Sequence, residues 1–162
     1  MINVDEVFKT IVESMSTTER PVYFFTGYWP DFAAQLQNRE QTKTLNSFPL
    51  VFLDSNFSIK QNDAKIIEVE PAIYIITRTK VDYSIQERLD SVYKPVLQPI
   101  FEDLLKAMSA NRQIMGSKYF ENKRKNLYFL ESQTAEQNQL VDIVDAIQVN
   151  FTNLKIKSWE LC

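Results

Sequence analysis

The chain has 162 residues, a formal net charge of −3, no histidine and a single cysteine, Cys162. This length suits one domain, residues 1–162, whose core is large enough to need no disulfide or metal. Without histidine, neither a Ser-His-Asp nor a Cys-His catalytic arrangement can be built, and one cysteine cannot form a cysteine zinc site. The mild acidity argues against a dedicated nucleic-acid-binding protein. We therefore expect a protein that is not an enzyme and that uses no cofactor and no metal.

The chain also lacks the usual export and membrane signals. Residues 1–10 contain no basic segment followed by an apolar run, so they do not resemble a signal peptide. The longest apolar runs are much shorter than the ~20 residues that a transmembrane helix requires. We expect a soluble protein that is made in the cytoplasm and has no membrane contact.

Three elements are predicted near the start of the chain. Apolar residues recur every three or four positions over 3–16, which predicts a helix. The aromatic and β-branched run 21–27 predicts a short strand. Asp31 is placed to cap a short helix over 32–37.

Two further strands are predicted in the middle of the chain. The most apolar run, 48–53, predicts a central strand, and residues 54–63 are predicted to be a polar connection. Residues 64–79 predict a long strand, which Pro71 bends or places at a sheet edge.

The second half begins with a helix. Ser84 and Glu87 match a capping box, and an apolar stripe continues from there at helical spacing. Because Pro95 and Pro99 interrupt the stripe, we expect a helix from 84 to about 93, a kink or break, and a second helix from about 95 to 109.

The remaining residues predict mostly strands. Residues 110–126 are weakly patterned and predict no element, whereas 127–130 predict a short strand. Residues 141–159 alternate strongly, with a turn or bulge at 152–153. The order of elements predicts an α+β fold with a largely antiparallel sheet of four to five strands and helices packed on one face.

Two groups of charged residues are candidate sites. Glu68 and Glu70 lie two apart and therefore share one strand face. This favours a solvated surface over a metal site or an acid–base pair, and it would also suit a surface that repels phosphate. Lys123, Arg124 and Lys125 belong to the only basic cluster. Such a cluster is typical of a solvated loop, and it could also contact phosphates or an acidic partner.

Exposed apolar residues are a third kind of candidate. Tyr28 and Trp29 form an aromatic patch that either packs at the start of a helix or anchors an interface. Apolar residues in predicted connections suggest surfaces that neighbouring chains cover. These residues are Phe57, Ile59, Ile114, Met115, Tyr119 and Phe120.

Several of these stretches resemble a known group of proteins. They are Tyr28-Trp29 before a short helix, the run 48–53, the segment 83–105 (YSIQERLDSVYKPVLQPIFEDLL) and the segment 141–147, and the match extends over about two-thirds of the chain. The resemblance is to small proteins encoded among the head–tail connection and tail genes of phages and prophages of gut Bacteroidales. Their architecture is similar to that of tail-terminator or tail-completion subunits.

This resemblance implies a structural subunit of the virion neck or tail, with no catalytic residues. Such subunits form a six- or twelvefold ring between portal or head-closure proteins and the tail, and DNA passes through without sequence-specific binding. In such a ring, Glu68 and Glu70 would face the channel. The alternative is a non-structural adaptor that binds one protein partner, and a carboxylate-dependent enzyme ranks third. The interface candidates are Tyr28, Trp29, Phe57, Ile59, Tyr119, Phe120, Lys123, Arg124 and Lys125.

Overall fold

The computed structural model describes residues 2–32, 48–80, 82–115, 120–127 and 144–162. The helices are α1 (Val4–Met15) and one long helix composed of α2 (Ile85–Arg88), a π-helical segment (Leu89–Leu97) and α3 (Gln98–Ala110). The strands are β1 (Tyr23–Gly27), β2 (Leu50–Asp54), β3 (Ile59–Asp63), β4 (Ile66–Val69), β5 (Ala72–Arg78), β6 (Ile114–Met115), β7 (Phe120–Leu127), β8 (Val144–Phe151) and β9 (Leu154–Lys157). A short 3₁₀ helix follows at Trp159–Leu161.

The strands form two sheets. The five-stranded sheet has the order β1-β2-β5-β8-β7, and the four-stranded sheet has the order β3-β4-β9-β6. Only β1 and β2 pair in parallel among the described strands; the others are antiparallel. The predicted α+β class with a largely antiparallel sheet is therefore confirmed, and the strands divide between two sheets where one was expected.

The two sheets meet at a bend that two neighbouring strands share. The predicted strand over 64–79 is divided between β4 in one sheet and β5 in the other, with Pro71 at the division. Strands β8 and β9 change sheets in the same way around residues 152–153, and the Phe151 amide donates to the Pro71 carbonyl (3.1 Å) across the bend. Strands that pass from one sheet to the next at a bend form the corners of such folds.

The five-stranded sheet is buried on both faces at its centre. On one face, α1 and the long helix cover the main core, to which alternate residues such as Val51 and Leu53 belong. The opposite face carries a second core, covered in part by a helical turn over residues 29–32. The second core consists of Phe32, Leu50, Phe52, Ile76, Val144 and Ala146. Burial on both faces explains why 48–53 is apolar throughout.

The long helix begins at the predicted capping box and does not break. The Glu87 amide donates to Ser84 Oγ (3.2 Å), and the Ser84 amide donates to Glu87 Oε2 (2.6 Å). Of the predicted kink or break, the break is wrong, because a π-helical segment containing Pro95 joins α2 to α3 and replaces regular α-helix there. The Gln98 amide donates to the Tyr93 carbonyl, five residues earlier. The wider π turn accommodates a residue that has no amide hydrogen.

Three other predictions are corrected. Asp31 lies inside the helical turn, where the Phe32 amide donates to the Tyr28 carbonyl (3.1 Å), so it is not the cap. The connection 54–63 contains β3, and the unassigned stretch 110–126 contains β6 and most of β7. Strands β3 and β7 lie at sheet edges and consist mostly of polar residues, so their sequences lack the usual alternation. Predictions for residues 33–37, Tyr119 and 128–143 lie outside the described residues.

Candidate protein-interaction surface

Strand β7 is one edge of the five-stranded sheet and carries the basic residues. Within the described ranges it pairs only with β8, along its whole length. Arg124 is opposite Ile147, a main-core residue, so it points to the helix-covered side. Lys123 and Lys125 point to the other side, because successive strand residues alternate between faces. The predicted basic cluster is thus a strand edge with positive charge on both sides.

The side chains of β7 are anchored to the rest of the fold. The guanidinium carbon of Arg124 lies 5.1 Å from the centroid of the Tyr93 ring. The Phe120 ring packs edge-on against Phe101 (5.9 Å between centroids) and near Phe151 (6.0 Å). Phe120 therefore contributes mainly to packing between β7, β8 and α3.

The charge of the β7 edge is opposite in sign to that of the whole chain. Lys123 and Glu121 are exposed and lie 3.5 Å apart, measured from Nζ to Oε1. Arg124 is exposed and Lys125 is half-buried. Three basic residues and one acidic residue make this edge a positive patch on a protein whose net charge is −3.

A buried polar cluster lies beneath Arg124. The Asp145 side chain on β8 is 1% exposed, and its Oδ1 lies 3.5 Å from Nη1 of Arg88. The Nε of Arg88 also donates to the Tyr83 carbonyl (3.3 Å). Burial, together with the charge of Asp145, raises the pKa of Tyr93 to about 12. The phenol is therefore neutral near pH 7 and offers an uncharged ring to Arg124.

The structure separates the two residues of the predicted aromatic patch. Trp29 is half-buried and packs on Tyr74 (4.7 Å between centroids) and Phe52 (5.6 Å) above the second core. Tyr28, its neighbour, is 59% exposed. Packing therefore accounts for Trp29, whereas Tyr28 is available to a partner.

The apolar residues predicted to lie in connections also differ from one another. Phe57 packs against the main core. Ile59 is the first residue of the edge strand β3 and is 53% exposed. Ile114 and Met115 form β6 and are half-buried. Of this group, Ile59 is the described residue that presents most apolar surface.

Sequence reasoning missed other exposed apolar side chains. Ile85 belongs to the apolar stripe predicted for the long helix but is 81% exposed in its first turn, and Trp159 is 67% exposed. Tyr23 and Leu161 are also exposed. The segment around Trp159 is too short to show a periodic spacing of apolar residues, so the exposure of Trp159 could not be predicted from the sequence.

The acidic pair lies on the other sheet, at the bend. With the Asn153 amide oriented so that its nitrogen faces the carboxylates, that nitrogen donates to Glu68 Oε1 (2.8 Å) and Glu70 Oε1 (3.3 Å). In the strand register, Glu68 is opposite Lys60 on β3 and Lys155 on β9. The two carboxylates are thus brought together, but lysines flank them.

A scan against protein-family models found no match, and a comparison with curated proteins found no similar sequence. None of the helices in the described ranges is both long and apolar enough to cross a membrane. Nor does that part of the chain hold three or more acidic or cysteine side chains grouped as metal ligands. The described surface offers a positive strand edge, exposed apolar side chains and a lysine-flanked acidic pair.

Proposed function

We propose that this chain is a non-catalytic structural subunit of a tailed phage. Copies of it would form a ring in the neck or tail that connects portal or head-closure proteins to the tail and leaves a channel for DNA. The resemblance of segments such as 83–105 to Bacteroidales phage proteins supports the proposed place in the neck or tail.

The two edges of the five-stranded sheet, which no other strand in the described part of the chain covers, are the observation that supports assembly. Strands β1 and β7 lie at opposite ends of this sheet and are unlike each other in length and charge. A subunit with two different contact surfaces suits head-to-tail association, and such contacts close into a ring when the rotation permits. Exposed Tyr28 and Ile59 add apolar surface for neighbouring proteins to cover.

The exposed residues of the structure differ in part from those that the sequence predicted for the ring contacts. Phe57 and Phe120 are half-buried against the main core, so the apolar contacts of the proposed ring rest mainly on Tyr28, Ile59 and newly identified residues such as Trp159. The face that carries Glu68 also carries Lys60. If that face lines the channel, passing DNA meets mixed charge in place of the uniformly acidic surface expected from the sequence.

Removal of the gene from the phage or prophage that encodes the chain tests this proposal. We expect filled heads and tails that fail to join, or tails of abnormal length, when particles are imaged by electron microscopy. Expression of the wild-type chain in trans should restore normal particles. Normal, infectious particles assembled without the chain would overturn the proposal and favour the adaptor alternative.

A further inference from the structure

We propose that the outer edge of β7 accepts an extended acidic segment of a partner protein as an additional strand of the five-stranded sheet. This inference concerns the chemistry of the partner and holds whether or not the chain belongs to a virion.

The backbone of β7 provides the first requirement. Its eight residues pair with β8 from end to end, Phe120 with Phe151 and Leu127 with Val144. In an antiparallel pair, the amide and carbonyl groups of alternate residues point away from the partner strand. Among the described residues, no strand pairs with that outer side. An extended peptide that adds there would satisfy these groups.

The side chains specify the charge of the incoming strand. Lys123 and Lys125 point to one side of the sheet and Arg124 points to the other. Residues directly opposite on paired strands lie on the same side, where opposite charges attract and like charges repel. Three consecutive acidic residues in the added strand would therefore meet three basic residues. The contact of Arg124 with Tyr93 holds one of these charges in place before binding.

The same charges disfavour a second copy of β7. Two such edges would bring six basic residues together with only two acidic ones, Glu121 from each strand. Lysine on an edge strand is a common protection against edge-to-edge pairing. The edge therefore discriminates by charge: it disfavours pairing with the β7 strand of a second copy and favours acidic strands.

A peptide titration tests the proposal. The probe is a fluorescent eight-residue peptide, matched to β7 in length, with three central glutamates flanked by threonine and valine. We expect binding by fluorescence anisotropy, and a Kd raised roughly fivefold or more by Lys123→Glu, which replaces attraction with repulsion. Lys60→Glu is the matched control, because Lys60 is an exposed lysine on β3, an edge of the other sheet. It should leave the Kd unchanged.

Two further probes separate strand addition from charge attraction alone. A peptide with proline beside the glutamates keeps the charge but lacks a backbone donor, so it should bind much more weakly. Hydrogen exchange of the β7 amides should slow when the glutamate peptide binds. Equal binding of the proline peptide, equal weakening by Lys60→Glu, or tighter binding of single-stranded DNA would overturn the proposal.

Folding of the variants is checked by circular dichroism. If Lys123→Glu does not fold, Lys123→Gln removes the attraction without adding repulsion and should still weaken binding. Because these measurements use the purified chain, their failure leaves the ring proposal intact. Conversely, absence of the chain from virions would leave the strand-binding result unaffected.

Discussion

The guanidinium group of Arg124 lies over the ring of Tyr93, which connects the edge strand β7 to the π-helical segment of the long helix. The charge of the buried Asp145 acts on the same tyrosine. Tyr93 and Asp145 therefore form a polar cluster between the sheet and the helix beneath the basic edge. Their contribution to the free energy of unfolding can be measured without any partner.

The first prediction concerns alkaline pH. Burial, with the charge of Asp145 and against the charges of Arg124 and Arg88, raises the pKa of Tyr93 from 10.0 to about 12. The folded state holds this proton more tightly than the unfolded state does, so the stabilisation is complete below pH 10 and is lost as the pH rises toward 12. Urea unfolding across this range should show a steeper loss for the wild type than for Tyr93→Phe. In Tyr28→Phe, which alters an exposed tyrosine, the slope should match the wild type; a wild-type slope in Tyr93→Phe would contradict the argument.

A second prediction concerns the buried carboxylate. Asp145→Ala leaves Arg88, whose side chain is 17% exposed, without this counter-charge. We expect the free energy of unfolding to fall by about 3 kcal/mol, as for other buried ion pairs that lose one partner. The control is Asp90→Ala, which removes the exposed pair with Lys94 and should leave the free energy of unfolding almost unchanged. Similar losses in the two variants, measured by urea unfolding, would argue against the Asp145 contribution.

The third prediction distinguishes packing from exposure in the aromatic region. Phe52 is fully buried, and its ring stacks on that of Phe32 with 4.1 Å between centroids. Phe52→Ala should therefore reduce the free energy of unfolding by about 3–5 kcal/mol, as other buried phenylalanines do. Tyr28→Ala, on the exposed side, should change it by less than about 0.5 kcal/mol. A large loss in Tyr28→Ala would mean that this residue stabilises the monomer and is not reserved for a partner.

The fourth prediction concerns the bend between the sheets. Asn153 has φ 53°, in the left-handed region, and its side chain bonds to both Glu68 and Glu70. Asn153→Ala should cost about 1–2 kcal/mol, because alanine loses the bonds to both glutamates and lacks the short polar side chain that lets asparagine adopt this conformation. Asn153→Gly loses the side-chain bonds but keeps the backbone freedom, so it should be less destabilised. The account of the bend fails if glycine proves as destabilising as alanine in thermal or urea unfolding.

Local patterns allowed several elements to be predicted. The helix over 3–16, the buried run at 48–53 and the turn at 152–153 all follow from the spacing of apolar and turn-forming residues. The capping box at Ser84 has its bonds as expected. These features depend on residues that are close in sequence, because the buried side of a helix or strand determines the spacing of its apolar residues.

The division into two sheets could not be predicted in this way. Ile67 and Val69 on β4, and Ile73 and Ile75 on β5, all belong to the main core. Their alternation therefore continues across Pro71 although the backbone changes sheets there. The strand β7 could not be predicted because polar residues on both sides follow Phe120, and its partner β8 comes after a long intervening segment.

The candidate site was only partly predictable, because its contacts join segments that are distant in the sequence. The basic residues and the acidic pair were identified from their types, but which residues meet them depends on distant parts of the chain. Tyr93 lies beneath Arg124, and Asn153 joins Glu68 to Glu70. Neither contact has a signal in the sequence, because each connects segments that only the tertiary fold brings together.

The copy number of the chain in purified virions tests the central claim most directly. Quantitative mass spectrometry against isotope-labelled standards gives this number relative to other virion proteins. A closed ring of identical subunits in the neck or tail predicts a fixed stoichiometry, and the family resemblance predicts six or twelve copies. Absence of the chain from virions, or a copy number that is not a multiple of six, would contradict its role as a ring subunit.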